Sequence, residues 1–359
     1  MQLQEYLLAI VIPSWNCCQY IPEMLDSILA NTFTNWKCYV VDDGSTDGTL
    51  EVLEHYSKRD NRIVFISRNR LPKGAQTCRN IGYSLALKDN AKYIIWFDAD
   101  DMISQCCLGQ RVNYMENHKN LDFSIFPAKT FVSNPNEILD TTKIYGIKYG
   151  SDPLRDMLKW CLPMVGWTNI YKMESLYKYE LTWDENLLSM QDSDFNISAL
   201  IKGMKYEFAW NEGGHIDYFY RLIQTSNANI SSKINNVEHL CSHFYLINKI
   251  LSNLSGNQLS LYKRELECYI YRFAKFFCHD KKLYLKLLNI PWINKNFRFR
   301  YSLLVYRWFH LYYPFQWKRT QICTLFMLNH LERDWDMFQQ DWNRFMFDKL
   351  NIILHKRKV

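Results

Sequence analysis

Short apolar runs alternate with amphipathic stretches along the first hundred residues. Leu7–Ile12 is a continuous apolar run of strand length, and Ile21–Asn31 places apolar residues at helical spacing. The same pattern predicts strands at Lys37–Val41, Ile63–Ile66 and Tyr93–Phe97, with helices at Thr49–Lys58 and Ala75–Lys88 between them. Strands separated by helices need crossover connections, which implies an α/β fold with a mostly parallel sheet and right-handed crossovers. In such sheets ligands bind beyond the carboxyl ends of the strands. Three polar clusters fall at those ends: Pro13–Asn16, Asp42–Asp47 and Asp98–Asp101.

The carboxylates at these ends suggest chemistry. Asp98-Ala99-Asp100-Asp101 follows the apolar run Tyr-Ile-Ile-Trp-Phe, and carboxylates crowded at the mouth of a buried strand repel one another. Residues two apart share a side of a strand, so Asp98 and Asp100 can face one ligand. Hard oxygen donors suit Mg²⁺ or Mn²⁺, which take one or two protein carboxylates and complete their shell with water and phosphate oxygens. The same acids serve equally as helix caps or turn residues. In Val40-Val41-Asp42-Asp43-Gly44-Ser45-Thr46-Asp47-Gly48-Thr49, the glycines allow tight turns and Asp47 or Thr46 caps the following helix. Capping does not explain the two preceding acids; Asp43 can accept a hydrogen bond from a base N–H or a ribose hydroxyl.

Four segments in order carry a resemblance: Ala-Ile-Val-Ile-Pro-Ser-Trp-Asn (9–16), Tyr-Val-Val-Asp-Asp-Gly-Ser-Thr-Asp-Gly-Thr (39–49), Lys-Gly-Ala-Gln-Thr-Cys-Arg-Asn-Ile-Gly (73–82) and Trp-Phe-Asp-Ala-Asp-Asp (96–101). Together they resemble the inverting family 2 glycosyltransferases of bacterial surface-polysaccharide synthesis, over about residues 5–225. The resemblance implies the GT-A fold, a Rossmann-like mostly parallel sheet flanked by helices. It implies a nucleotide-binding half (1–101) and an acceptor half (102–235); a change of character near residues 235–260, where Asn, Ser and Gly cluster, separates these from a mainly helical, basic and aromatic-rich region at 236–359. It implies a nucleotide-sugar donor, UDP-linked by preference, with Mn²⁺ or Mg²⁺ as cofactor. By position, Pro13 and Trp15 line the base pocket, Asp43 meets the base, Asp98 lies near ribose and metal, and Asp100, next to Ala99, is the direct metal ligand. Arg79 serves the donor side or ties its helix to an acidic loop.

Inverting transfer needs a base within reach of the acceptor hydroxyl, opposite the leaving diphosphate. Met190-Gln191-Asp192-Ser193-Asp194-Phe195 resembles the family's Glu-Asp-x-x-Phe segment, so Asp192 takes the place of the base and Gln191 replaces the usual Glu. Losing that neighbouring charge leaves the Asp192 pKa less elevated. Asp194 is a rival two residues on, and both acids also suit the start of a helix predicted at Phe195–Lys202. Trp167 stands where relatives place an acceptor-side Trp, with core packing as the alternative. His215 and Arg221 are candidates for closing over the diphosphate. The function implied is sugar transfer to a hydroxyl of a glycan or lipid-linked glycan in surface polysaccharide or lipopolysaccharide synthesis. Two alternatives are a non-catalytic nucleotide-sugar or glycan-binding module on the same fold and a nucleotidyltransferase, although no Gly-rich phosphate loop with its Lys lies near the N-terminus.

Charge changes the picture of the last third. The 359 residues are 48% hydrophobic and 22% charged with net charge +6, as in an ordinary globular protein. Residues 1–260 hold 24 Lys/Arg against 29 Asp/Glu, whereas 261–359 hold 19 against 8. Within 281–331 there are nine Lys/Arg and no Asp/Glu, interleaved with Trp292, Phe297, Phe299, Tyr301, Tyr306, Trp308, Phe309, Tyr312, Tyr313, Phe315 and Trp317. This suits an anionic membrane surface or a helical subdomain with its aromatics turned inward; nucleic acid is the lesser reading. Eleven cysteines, an odd number without Cys-x-x-Cys, indicate reduced thiols rather than a disulfide or zinc framework. With neither a signal-peptide pattern nor an apolar run of spanning length, the expectation is a cytoplasmic protein, peripheral at the inner face of the cytoplasmic membrane.

Overall fold

The computed structural model describes residues 7–137, 139, 142–212, 215–223, 237–312 and 328–356. Tyr313, Phe315 and Trp317, and the predicted boundary at 235/236, lie outside the described residues. The first hundred residues fold as β1 (Leu8–Ser14), α1 (Ile21–Leu29), β2 (Trp36–Asp42), α2 (Thr49–Arg59), β3 (Ile63–Ser67), α3 (Ala75–Lys88) and β4 (Tyr93–Trp96). Each agrees with its apolar pattern to within about two residues.

The chain continues through β5 (Met102–Ile103), α4 (Cys107–Asn117), β6 (Phe123–Ile125), β7 (Ala128–Phe131), β8 (Ile144–Tyr145) and α5 (Pro153–Leu158). Next come β9 (Asn169–Lys172), α6 (Met173–Lys178), α7 (Gln191–Ile201), β10 (Tyr206–Phe208) and β11 (Tyr218–Arg221). The described residues from 237 on are mainly helical: α8 (Val237–Asn253), α9 (Gly256–Leu261), α10 (Lys263–Phe277), α11 (Lys281–Leu288), α12 (Pro291–Lys295), α13 (Phe297–Tyr312) and α14 (Leu328–Lys356).

Seven strands form the main sheet in the order β10-β6-β9-β4-β1-β2-β3. The β4-β1-β2-β3 part is parallel, while β9 runs antiparallel to both β4 and β6. The strand order turns outward on both sides of β1, and the carboxyl ends of β1, β2 and β4 open onto one crevice. A second sheet, β5-β11-β7-β8, includes the strand that directly follows Asp98–Asp101.

Both faces of the main sheet are covered, and the period of two in β1 and β4 distributes their residues. Leu8, Ile10, Ile12, Tyr93, Ile95 and Phe97 pack on the side of α1 and α4. Ala9, Val11, Ile94 and Trp96 face a second core that runs through α7 and on into α8, α10 and α11. Helix α3 lies unusually close to β1: a Cβ on Gly82 would come within 2.3 Å of the Val11 side chain. Helix α7 begins at Gln191, four residues earlier than predicted, because Met190 takes a left-handed conformation (φ 65°) and turns the chain into the helix. Asp192 and Asp194 therefore both belong to its first turn.

Candidate active site

The ends of β1 and β2 make a rigid pocket wall. Asp42 is fully buried and accepts hydrogen bonds from the Gly44 and Ser45 amides (2.9 Å each) and from the Ser14 hydroxyl (3.1 Å), so it organises the turn. Gly44 and Gly48 take positive φ (90° and 94°), as the motif predicts. Asn16 ties the first loop to the second, accepting from the Thr46 amide at 2.8 Å. Asp43 is the acid left facing the crevice: its Oδ1 accepts from the Arg68 guanidinium and from the Gly74 amide at 3.3 Å. Pro13 stands opposite Val41 in the β1–β2 register. Trp15 is 44% exposed, with the Lys73 ammonium 4.9 Å from its ring centroid.

At the end of β4 the three acids separate by role. Asp101 is fully buried, accepting the Tyr218 hydroxyl at 2.5 Å and the Arg221 amide at 2.7 Å; it anchors the loop to β11. Asp98 stays partly exposed and accepts from Arg79 Nη2 at 2.8 Å. Burial, then the neighbouring Asp98 charge, pushes the Asp100 carboxyl up to about 6. Crowding of this kind is relieved by a cation. Among the described residues no group of three or more His, Cys, Asp or Glu is arranged to hold a metal alone. Asp98 and Asp100 fit the other way of holding Mg²⁺ or Mn²⁺, one or two carboxylates completed by water and substrate phosphate.

The Arg79-Asn80-Ile81-Gly82 motif connects this loop to the start of α7. Arg79 reaches Asp98 with one terminal nitrogen and the Gln191 side-chain oxygen with the other (3.0 Å), while its guanidinium lies 4.4 Å from the Trp183 ring. Asn80 clamps the Trp183 backbone, donating to its carbonyl at 2.8 Å and accepting from its amide at 3.0 Å. Gln191 donates to the Gln76 oxygen (2.7 Å) and the Leu187 carbonyl (3.1 Å). A Glu at 191 could accept from Arg79 but could not donate to these two oxygens. The amide thus fits its setting where the family motif has an acid.

Asp192 and Asp194 are two residues apart and differ completely. Asp194 is almost fully buried and bound to Lys249 at 2.8 Å, and the same ammonium also holds Asp184 at 2.6 Å. Among the described residues no cation pairs with Asp192 in this way. Its Oδ1 accepts from the Gly166 amide at 3.1 Å. Burial raises its pKa, Arg79 lowers it, and the Asp98 charge raises it again. A Cβ on Gly166 would sit 2.4 Å from that oxygen, so only glycine lets the backbone approach.

The remaining candidates are placed as follows. Trp167 is 5% exposed and stacks on Tyr218 and Tyr220 with ring centroids 4.8 and 5.3 Å away, which is core packing. Arg221 donates to the Asp100 carbonyl and to Glu23 (2.7 Å each), fixing the backbone of the acidic loop from behind. His215 is exposed, and its carbonyl accepts from Gln110 at 3.2 Å. Gln76, Asn80 and Gly166 were not singled out from the sequence, although each lies within or beside a recognisable segment. Arg68, Trp183 and Lys249 had no local signal.

The sequence model for Glycosyl transferase family 2 matches residues 9–179, from the first residues of β1 through α6. Over that stretch, just under half of the chain, the residues match the family, and the fold is of the GT-A kind. It is 27% identical over 241 residues, 65% of its own length, to an uncharacterised glycosyltransferase, EpsJ, of Bacillus subtilis. It is 32% identical over 30% of its length to TuaG, a putative teichuronic acid biosynthesis glycosyltransferase of the same organism. The matches span 66% and 42% of these two relatives' own lengths. Among solved structures it resembles Staphylococcus aureus TarS 1–349 in complex with UDP-GlcNAc (TM-score 0.59, 17% identity, 84% of this chain and 86% of that one). A second is the mannosyltransferase PcManGT of Pyrobaculum calidifontis in complex with GDP-Man and Mn²⁺ (TM-score 0.52, 14% identity, 88% and 83% covered).

Proposed function

We propose that the chain is an inverting transferase moving a sugar from a nucleotide sugar, UDP-linked by preference, to an acceptor hydroxyl. The observation that carries this is the contrast between the two acids of α7: Lys249 neutralises Asp194, while Asp192, of raised pKa, has no ion-pair partner among the described residues and lies beside the Arg79–Asp98 pair. A base must be ionised yet avid for a proton: burial supplies the avidity, and the Arg79 charge favours the ionised form.

In the reaction so assigned, the acceptor hydroxyl gives its proton to Asp192 as its oxygen bonds to the sugar's anomeric carbon. The bond from that carbon to the diphosphate breaks on the opposite face. Trp15 and Pro13 would carry the base, Asp43 its polar edge, and Asp98 the ribose side. Asp100, with Asp98, would hold Mn²⁺ or Mg²⁺, which when bound offsets the charge developing on the diphosphate. The Gly166 amide holds the Asp192 carboxylate in one orientation, and Arg79 limits how far its pKa rises.

The acceptor class we favour is a glycan or lipid-linked glycan of surface polysaccharide or lipopolysaccharide synthesis, in keeping with the name of TuaG. Among the described residues no helix is long and apolar enough to cross a membrane, and we place the enzyme in the cytoplasm, peripheral to the inner face of the membrane. The test is donor turnover with a panel of nucleotide sugars and Mn²⁺ or Mg²⁺. Transfer or slow hydrolysis of at least one donor is expected. Donor binding with neither reaction would be the behaviour of a non-catalytic module and would overturn the assignment.

A further inference from the structure

We infer that one face of α13 docks onto an anionic membrane surface. This helix has two apolar faces. The inner one is core: Phe299 and Leu303 are 4% and 0% exposed, Tyr306 meets Tyr271 edge-on at 5.2 Å, and the Tyr284 hydroxyl donates to the Leu303 carbonyl at 2.6 Å. The outer one consists of Phe297, Tyr301, Leu304 and Trp308. Spacings of four, three and four residues put these on a single stripe, and they are 73%, 50%, 41% and 51% exposed. Four large apolar side chains in a row on a surface mark an interaction site rather than ordinary scatter.

The charges around the stripe select the partner. By helical position Arg300 and Arg307 flank it on one side and Arg298 on the other. Helix α11 adds exposed Lys281, Lys282 and Lys286 together with Leu285, and α12 adds exposed Lys295. Residues 281–312 contain seven Lys/Arg and no Asp/Glu. A second copy of this face would bring seven like charges against seven, whereas anionic lipid headgroups complement them. Leu304 at the middle of the stripe, and the stacking of Phe297 on Tyr301 (6.4 Å, 16°), suit acyl chains at the headgroup boundary better than separate platforms for bases. An aliphatic and aromatic stripe rimmed with Lys and Arg is the pattern of a helix lying in the membrane interface.

Sedimentation of the full chain with vesicles tests this. With equal parts phosphatidylglycerol and phosphatidylcholine, partitioning should exceed that with phosphatidylcholine alone by about tenfold or more, and added salt should weaken it. The Leu304→Ser/Trp308→Ser variant should lose about tenfold or more in partitioning. Should that variant fail to fold, Lys281→Gln/Lys282→Gln/Arg298→Gln alters only exposed positions and should weaken anionic partitioning by roughly a hundredfold with an unchanged melting temperature. Equal partitioning into both vesicle types, or wild-type partitioning of both variants, overturns the inference. So does a dimer or an oligonucleotide complex abolished by the same substitutions in a chain that ignores vesicles.

Discussion

The turn after β2 and the first turn of α7 both carry closely spaced carboxylates, yet the partners that hold them come from different distances along the chain. In the turn after β2, Asp42 accepts from the amides of Gly44 and Ser45 and Asp47 from the Thr49 amide, all within three residues. On α7 the decisive partners come from far along the chain, with Gly166 for Asp192, Lys249 for Asp194, and Arg79 and Gln76 for Gln191. A local turn thus fixes where Asp42 and Asp47 stand, while tertiary contacts decide which of the α7 acids is neutralised.

Substitutions can break this division, beginning with the largest effect. Asp100→Ala should abolish metal-dependent donor binding, lowering transfer by about a thousandfold or more, as titration of the donor with and without Mn²⁺ would show. Next comes the buried pair beneath the acceptor side. Arg111 grips Asp217 at 2.6 and 2.8 Å, both fully buried, and also donates to the Trp167 carbonyl at 2.9 Å. Arg111→Leu leaves Asp217 uncompensated and should cost about 3–5 kcal/mol of stability in denaturant unfolding.

Gly166→Ala should act mainly on the base, although the added methyl also meets the Trp183 ring at 3.0 Å. The added methyl collides with the Asp192 carboxylate, and a fall in kcat of roughly ten- to a hundredfold is expected with donor affinity retained. The smallest effect is a shift of pH dependence. Protonated Asp192 cannot act as base, so activity should fall as pH drops through its raised pKa, giving an acid limb above the ordinary 3.8. Because the Arg79 charge lowers that pKa, Arg79→Met should move the limb to higher pH, and an unchanged profile would detach Arg79 from the base.

Legibility followed the same division. The sheet and its crevice were readable because β1–β4 are apolar runs separated by amphipathic helices, and the Asp-Asp-Gly-Ser and Asp-Ala-Asp segments sit directly at strand ends. The start of α7 was not, since its turn depends on a left-handed Met190 where no glycine marks it. Nothing near Asp194 announces that Lys249, 55 residues later, neutralises it. Arg221 was a candidate for closing over the diphosphate; its ties to Glu23, 198 residues away, and to the Asp100 carbonyl had no local signal. Gln191 was read only as a lost charge. Its amide turns out to connect Gln76, Leu187 and Arg79, a role visible only once α3 and α7 are packed together.

The most direct test compares Asp192→Asn with Asp194→Asn, measuring donor affinity and single-turnover transfer for each. Asp192→Asn should bind the donor normally and lose transfer by about a hundredfold or more, while Asp194→Asn should lose stability through the Lys249 cluster yet transfer at close to the normal rate once folded. Normal transfer by Asp192→Asn would contradict the account and place the base elsewhere.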